Sequence, residues 1–284
     1  MASTQKQSGA SRVRTGRRLG THLVLASIAV IMVVPFVWMV LTSLKTLVEA
    51  TAIPPQILPA NPLWQNYPGV FNRFRFDLLF TNSLVSTAIR VCSQVFFASM
   101  AGYAFAKVNF PGKSAIFAVM MTVMMVPGLL YIIPQYLLIT SLGWVNTMQG
   151  FVITGMVTAF GTFLMRQFFK TLPDELSEAA RLDGAGVFRT YFSIMLPLAK
   201  SGLVALTIFV SLWSWNDLMW PLVVLNSNSK MTLPVGLATM ANANFTEIPM
   251  QMAGATMAVL PMIVLFMILQ RRFIEGLAFS ATKQ

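Results

Sequence analysis

The residue types that carry covalent chemistry are almost missing: the 284 residues include one His, His22, and one Cys, Cys92. No Cys/His zinc cluster, disulfide framework or His-based triad can be assembled from that pair. Cys92 sits in an apolar stretch and reads as packing. Gly112-Lys113-Ser114 has the ending of a phosphate-binding loop. That loop needs a Gly five positions before its Gly-Lys pair, however, and Lys107 stands there. Binding of ATP by such a loop is therefore not expected.

What remains is chemistry of recognition. Arg90 and Asp217 are charged residues inside long apolar stretches, where a charge is costly and usually functional. Two readings of Arg90 stand: snorkelling to the near membrane interface, which its place early in its stretch favours, and lining a polar path. Around Asp217, the cluster Trp213, Trp215, Asn216, Asp217 and Trp220 offers aromatic faces for sugar rings and polar groups for hydroxyls. A carboxylate there favours a polyol or sugar over an anion. An aromatic belt at the membrane interface is the plainer alternative. The third feature is EAARLDGAGVFRTYFSIMLP, residues 178–197, a charged, glycine-hinged insert between apolar runs.

These groups are positioned by a chain that is 56% hydrophobic and 10% charged, with 22 Phe and 20 Met. That composition implies a polytopic membrane protein, all-α, with the bilayer as main solvent. Six apolar spans are expected, at about 23–44, 83–106, 115–139, 148–169, 202–225 and 250–270. The first is too long for the apolar region of a signal peptide and reads as an uncleaved helix. Residues 1–22 then form a basic tail, 23–271 the six-helix domain and 272–284 a closing tail. Most of the 20 Lys and Arg residues fall in the N-terminal segment, the second and fourth loops and the closing tail. The excess of positive charge on one side places both termini in the cytoplasm. The net charge of +11 is thereby explained as anchoring to membrane lipid, with no nucleic acid needed as partner.

On the opposite side the first loop, 45–82, is rich in Pro and aromatics and is expected to be an ordered, non-helical cap. The fifth loop, 226–249, carries Asn226-Ser227-Asn228-Ser229-Lys230, suited to reaching away from the membrane. Either could meet an extracytoplasmic partner. Asn244-Phe245-Thr246 fits a glycosylation sequon, relevant only in a secretory pathway.

The charged insert lies on the basic side, within a loop at 170–200. Pro173 suits a first helical turn, Asp174, Glu175 and Glu178 suit a helix N-terminus, and Gly184 suits a left-handed C-cap. A helix over 173–183 and a second over 186–195, stopped by Pro197, make a hinged elbow. Leu172, Leu176, Ala179, Ala180 and Leu182 give the first helix an apolar face of largely small side chains. Such a helix could lie on lipid headgroups, but acids in its first turn would face a negative leaflet. Docking into a protein groove fits better.

The spacing Glu178-Ala179-Ala180, Gly184, Ile194, Leu196-Pro197 resembles the full EAA signature of ABC-importer permease subunits. Asn66-Tyr67, Asn82-Ser83-Leu84, Gly102-Tyr103-Ala104-Phe105-Ala106 with Phe110-Pro111-Gly112, Trp215-Asn216-Asp217 and Gln270-Arg271-Arg272 with Gly276-Leu277 extend the likeness. Together they resemble the carbohydrate-uptake branch, and within it the shorter permease of the maltose importer. The likeness runs from Leu23 to the end. It implies that the elbow is a coupling helix received by an ATPase subunit, with Glu178, Ala179, Ala180, Asp183 and Gly184 at that contact. It further implies a second permease, usually unlike this one, two ATPase subunits that bind ATP and Mg, and an extracytoplasmic binding protein. The place is a bacterial inner membrane, and this chain itself holds no cofactor.

Ala98, Gly102 and Ala106 argue for close helix contact along the second span. Pro127, Pro134, Pro221 and Pro261 predict kinks, suited equally to a gated path or to packed bends. Met120, Met121, Met124 and Met125 read as adaptable packing. An ion-coupled secondary carrier is the rival from another class, but it would bring more buried acids than Asp217 alone. An integral-membrane enzyme would need convergent His, Asp and Glu residues that the sequence lacks.

Overall fold

A computed structural model of the chain describes the backbone over 6–242 and 247–281, and side chains over 20–240 and 247–271. The sequon at 244–246 and the last three residues lie outside the described residues. No strand occurs among those described. The helices are α1 (Lys6–Ser43), α2 (Leu47–Ala50), α3 (Asn66–Phe74), α4 (Phe76–Lys107), α5 (Lys113–Met125), α6 (Ile132–Ser141), α7 (Met148–Val152) and α8 (Ala159–Thr171). They continue as α9 (Glu175–Leu182), α10 (Val187–Thr190), α11 (Leu196–Leu198), α12 (Lys200–Trp215), α13 (Met219–Val224), α14 (Leu233–Asn242) and α15 (Ile248–Ala281). The boundaries expected at 22 and 272 fall inside α1 and α15, since nothing in those basic segments stops a helix.

Three helices are long and apolar enough to cross a membrane alone: Gly20–Ser43, Phe76–Lys107 and Ile248–Arg271. Three bent helix pairs bring the count to as many as six if each is one span. Lys113–Met125 meets Gly128–Ser141 at 98°, Met148–Gly155 meets Ala159–Thr171 at 41°, and Val187–Leu198 meets Lys200–Trp215 at 77°. Three of the six expected spans are present as single helices, and the continuous spans expected at 115–139, 148–169 and 202–225 are corrected. Pro127 interrupts the first of them, Thr158 caps a new helix inside the second by accepting from Gly161 N–H, and Asn216–Leu218 breaks the third. Pro197 does not stop the elbow's second helix either. It lies within the continuous helical run Val187–Leu198, just after the π-turn at Tyr191–Met195, and the bend comes at Ala199.

The chain divides into two compact units. The first takes in the described residues up to Arg73 and α15 as far as Met257. Here the expected cap at 45–82 is ordered but partly helical, through α2 and α3. Asn66 donates from Nδ2 to the carbonyls of Ser43 (2.8 Å) and Lys45 (3.2 Å), and the Tyr67 hydroxyl bonds Ser43 Oγ at 2.8 Å. This Asn-Tyr pair therefore closes the C-terminus of α1, whose last carbonyls lack helical partners. Arg73 pairs with Glu247 in the same unit.

The second unit holds Phe74–Asn242 and α15 from Ala258. Its centre is α4, which packs on α8 and α12. Ala98, Tyr103, Met165, Phe169, Tyr191, Met195, Ala199, Leu206 and Val210 form one apolar core, and Ile139, Phe151, Val152, Trp220, Val224 and Leu225 another. The expected small-residue contact on α4 is present. Ala98 and Gly102 are buried against α8, and Ala106 is partly buried beside them.

Candidate functional site

Two regions carry the sequence-derived residues. The first is the elbow. Asp174 is the N-cap of α9, but its side chain makes no cap bond, because Oδ1 is taken at 2.6 Å by Lys107 Nζ from the end of α4. That hydrogen bond, reinforced by the lysine charge, holds the Asp174 carboxyl below its ordinary value. Lys107 also donates to the Leu172 carbonyl. Gly184 adopts φ +76°, with its N–H donating to Arg181 O (3.0 Å) and that of Ala185 to Ala180 O (2.8 Å). This is a Schellman turn, which only Gly forms without strain. The expected left-handed cap is thus present.

The face of α9 differs from expectation. Ala180 is buried, as is Ser177, so Ala180 turns into the protein. Leu176, Glu178, Ala179, Asp183 and Gly184 are exposed, and Leu182 is 89% exposed. With two adjacent alanines, sequence pattern could not tell which one faced inward. The second half of the elbow is fixed by Tyr191, whose hydroxyl bonds Ser99 Oγ of α4 at 2.6 Å. Around Tyr191–Met195 the helix widens to a π-turn. Val187 and Phe188, just after the hinge, are exposed.

The second region surrounds Arg90, which does not snorkel. Its side chain is fully buried, with Nη1 donating to Asp217 Oδ2 at 2.9 Å and Nη2 to the Phe151 carbonyl at 2.7 Å. The guanidinium lies over the rings of Phe151 (4.2 Å) and Trp213 (5.2 Å). A Cβ on Gly155 would come within 2.6 Å of Arg90 Nε, so the glycine makes room for the charge. One turn further on α4, Gln94 donates to Gly155 O at 2.9 Å and accepts from Thr158 Oγ1 at 2.8 Å. Thr87, one turn earlier, donates to Ser214 at 3.3 Å. This polar stripe bonds the backbone at the break in the fourth span and ties into the fifth. In lipid such freed backbone groups must find protein partners. The polar spacing 87, 90, 94 at helical period was the sequence signal for it, and the sequence reading missed Gln94.

The tryptophan cluster divides. Trp215 is buried and donates from Nε1 to Ala258 O at 3.0 Å, and Trp220 is buried with its Nε1 on Phe151 O at 3.1 Å. Both are structural anchors. Trp213 is 50% exposed. With Asn216, Asp217, Gln135, Tyr131 and Thr154 it lines a recess of about 540 Å³. Asn216 is exposed and donates to Leu212 O at 2.8 Å. Recess residues 131, 135 and 154 carried no signal in the sequence, since they join the site only through the bends.

The fifth loop also departs from expectation. Asn226 and Ser227 donate to Oδ1 of Asn146, a residue at φ 57°, and Lys230 Nζ donates to its carbonyl. Asn82 donates to the carbonyls of Ser229 (3.0 Å) and Met231 (2.9 Å), and Ser83 Oγ accepts from Leu233 N–H at 2.7 Å. Residues 226–233 are therefore pinned within the second unit, to Asn82, Ser83 and Asn146, instead of reaching away.

An all-helical chain with three apolar spans, up to six with the bent pairs, and buried polar groups at the breaks has the build of a multi-span membrane protein. Residues 94–278 match the family model for the binding-protein-dependent transport system inner membrane component. The inner membrane ABC transporter permease protein YcjP of Escherichia coli is 32% identical over 278 residues, covering 96% of this chain and 99% of its own. The arabinooligosaccharides transport system permease protein AraQ of Halalkalibacterium halodurans is 37% identical, covering 72% and 73%. The sn-glycerol-3-phosphate transport system permease protein UgpE of Brucella suis is 33% identical, covering 90% and 94%. The fold matches a chain from the crystal structure of a bacterial ABC transporter involved in the import of alginate, with a TM-score of 0.78, 23% identity and coverage of 92% and 98%. The chain belongs to the family of binding-protein-dependent inner membrane permease components, within its sugar-transporting ABC branch. That membership replaces the ion-coupled carrier as a reading.

Proposed function

We propose that this chain is one of two permease subunits of an ATP-driven importer for a sugar or related polyol, coupled to its ATPase through α9. Both termini and the elbow are then cytoplasmic in a bacterial inner membrane, the second permease is an unlike chain, and an extracytoplasmic binding protein delivers substrate. ATP and Mg are bound by the two ATPase subunits, and this chain holds no cofactor. Substrate leaves the binding protein and enters the path when ATP closes the cytoplasmic dimer. Release inward follows once hydrolysis resets it.

The observation that carries this reading is the build of the elbow: exposed Leu176, Ala179 and Leu182 on a short helix, closed by the Gly184 turn and anchored behind by Lys107 and Tyr191. A projecting apolar face on a rigid mount is suited to receive a push from a partner. Glu178 is exposed beside it and offers the charge for pairing. The recess at Trp213, Asn216 and Asp217 supports a sugar path, since an aromatic face and hydrogen-bonding groups converge there. Substrates named for relatives are arabinooligosaccharides and sn-glycerol 3-phosphate, so a sugar or a related polyol fits the branch.

The test is Glu178→Lys in the reconstituted complex, with ATPase co-purification and substrate uptake read together. Loss of ATPase association while the permease still inserts is the expected result. Retained association with full uptake would remove the elbow from the coupling route.

A further inference from the structure

The recess beside Trp213 is lined by one charged side chain among the described residues, Asp217. Behind it lies a cation that does not reach the surface, since Arg90 is fully buried. Arg90 occupies Oδ2 of Asp217, leaving Oδ1 for the recess, where the side chain is 12% exposed. Arg90 Nε is buried without a hydrogen-bond partner among the described residues. One guanidinium donor is thus unpaired, its charge is balanced by Asp217 alone among the described residues, and of the pair it is the carboxylate that lines the cavity. Charges set in low-dielectric walls act strongly on what enters a cleft.

We propose that the Arg90–Asp217 pair sets the charge selectivity of this path. As built, the carboxylate masks the guanidinium, so the recess accepts neutral polyhydroxy compounds, whose hydroxyls donate to Oδ1, and disfavours phosphorylated or acidic sugars. Removing the carboxylate uncovers the cation and reverses that preference. Arg90 acts through Asp217, as a positioning residue. The proposal rests on the reading that the recess belongs to the substrate path.

The test places a reporter thiol in the recess at Leu129, one of its lining residues, in a Cys92→Ser background, using the full transporter complex in lipid nanodiscs. Rates of modification by neutral methyl, cationic trimethylammonium-ethyl and anionic sulfonatoethyl methanethiosulfonate are each normalised to a free thiol. In the parent, the cationic reagent is expected to be favoured over the anionic by roughly three- to tenfold. Asp217→Ala should invert that ratio. The double variant Arg90→Met/Asp217→Asn, which leaves no uncompensated charge should the single variant fail to fold, should bring it near that of the free thiol. A ratio unmoved by either change, with the neutral reagent still reacting, would overturn the charge proposal while leaving the path intact. No reaction with the neutral reagent would show a recess closed to water and would overturn both.

Discussion

Gly102 of α4 and Met165 of α8 touch so closely that a Cβ on Gly102 would lie 2.6 Å from the Met165 Cβ and 2.8 Å from the Arg166 backbone nitrogen. The obstacle is mostly backbone and Cβ, which no rotamer change can clear. Gly102→Ala must therefore push the two helices apart. Overpacking of this kind costs about 1–3 kcal/mol. The expected outcome is a lower unfolding midpoint of the purified complex. An unchanged midpoint would mean that the two helices have room to separate.

The anchor of the elbow titrates. Lys107 depresses the Asp174 carboxyl below its ordinary value of 3.8, first by its hydrogen bond and then by its charge. A carboxyl lowered on folding adds stability that is present above the unfolded value and is lost as pH falls through the folded one. Amide-exchange protection of α9 should therefore hold from neutral pH down to about pH 4 and fall below it. Asp174→Asn should reproduce the acid behaviour at neutral pH, and equal protection in the variant would place the anchor elsewhere.

The elbow was readable because its signals are local: acids at a helix start, Gly184 at its end and charge between apolar runs. Hydropathy also found the three long spans, but a window average cannot see Thr158 start a new helix or Asn216 end one, so the three bent pairs read as straight spans. The partner of Arg90 was hidden for another reason. Asp217 lies 127 positions away, and only the fold brings the two together. Asn82, Asn146 and the polar run at 226–230 looked like solvent-seeking residues, yet their amides and hydroxyls bond one another and nearby backbone. Composition gives the number of polar groups in a loop, while the partners they find depend on topology.

Ala179 and Ala180 are adjacent, yet the first is exposed and the second buried, and this separates coupling from stability. Leu182→Glu, on the exposed face, should weaken ATPase co-purification about tenfold or more while leaving the permease's unfolding midpoint unchanged, since losing a well-packed apolar anchor from an interface costs about 2 kcal/mol or more. Ala180→Leu, on the buried face, should lower the midpoint by overpacking at about 1–3 kcal/mol. A reversed pattern, with Ala180→Leu alone losing the ATPase at an unchanged midpoint, would assign docking to the opposite face of α9.

Arg90 and Asp217 should also behave as a unit in folding. Taking away one member leaves a charge buried without its partner, which typically costs about 3–5 kcal/mol, whereas replacing both by neutral side chains of similar size is often close to neutral. Asp217→Ala leaves the fully buried guanidinium with the Phe151 carbonyl as its remaining hydrogen-bond acceptor. Asp217 is itself 12% exposed and can recruit water from the recess, so Arg90→Met should cost less than Asp217→Ala. The double variant Arg90→Met/Asp217→Ala, which combines those two single changes, should recover most of the loss, giving a coupling of about 2 kcal/mol or more in a double-mutant cycle on urea midpoints. Additive losses would mean that each residue is held by its other contacts, Arg90 by Phe151 and the Trp213 ring, and that the ion pair contributes little to the bent core.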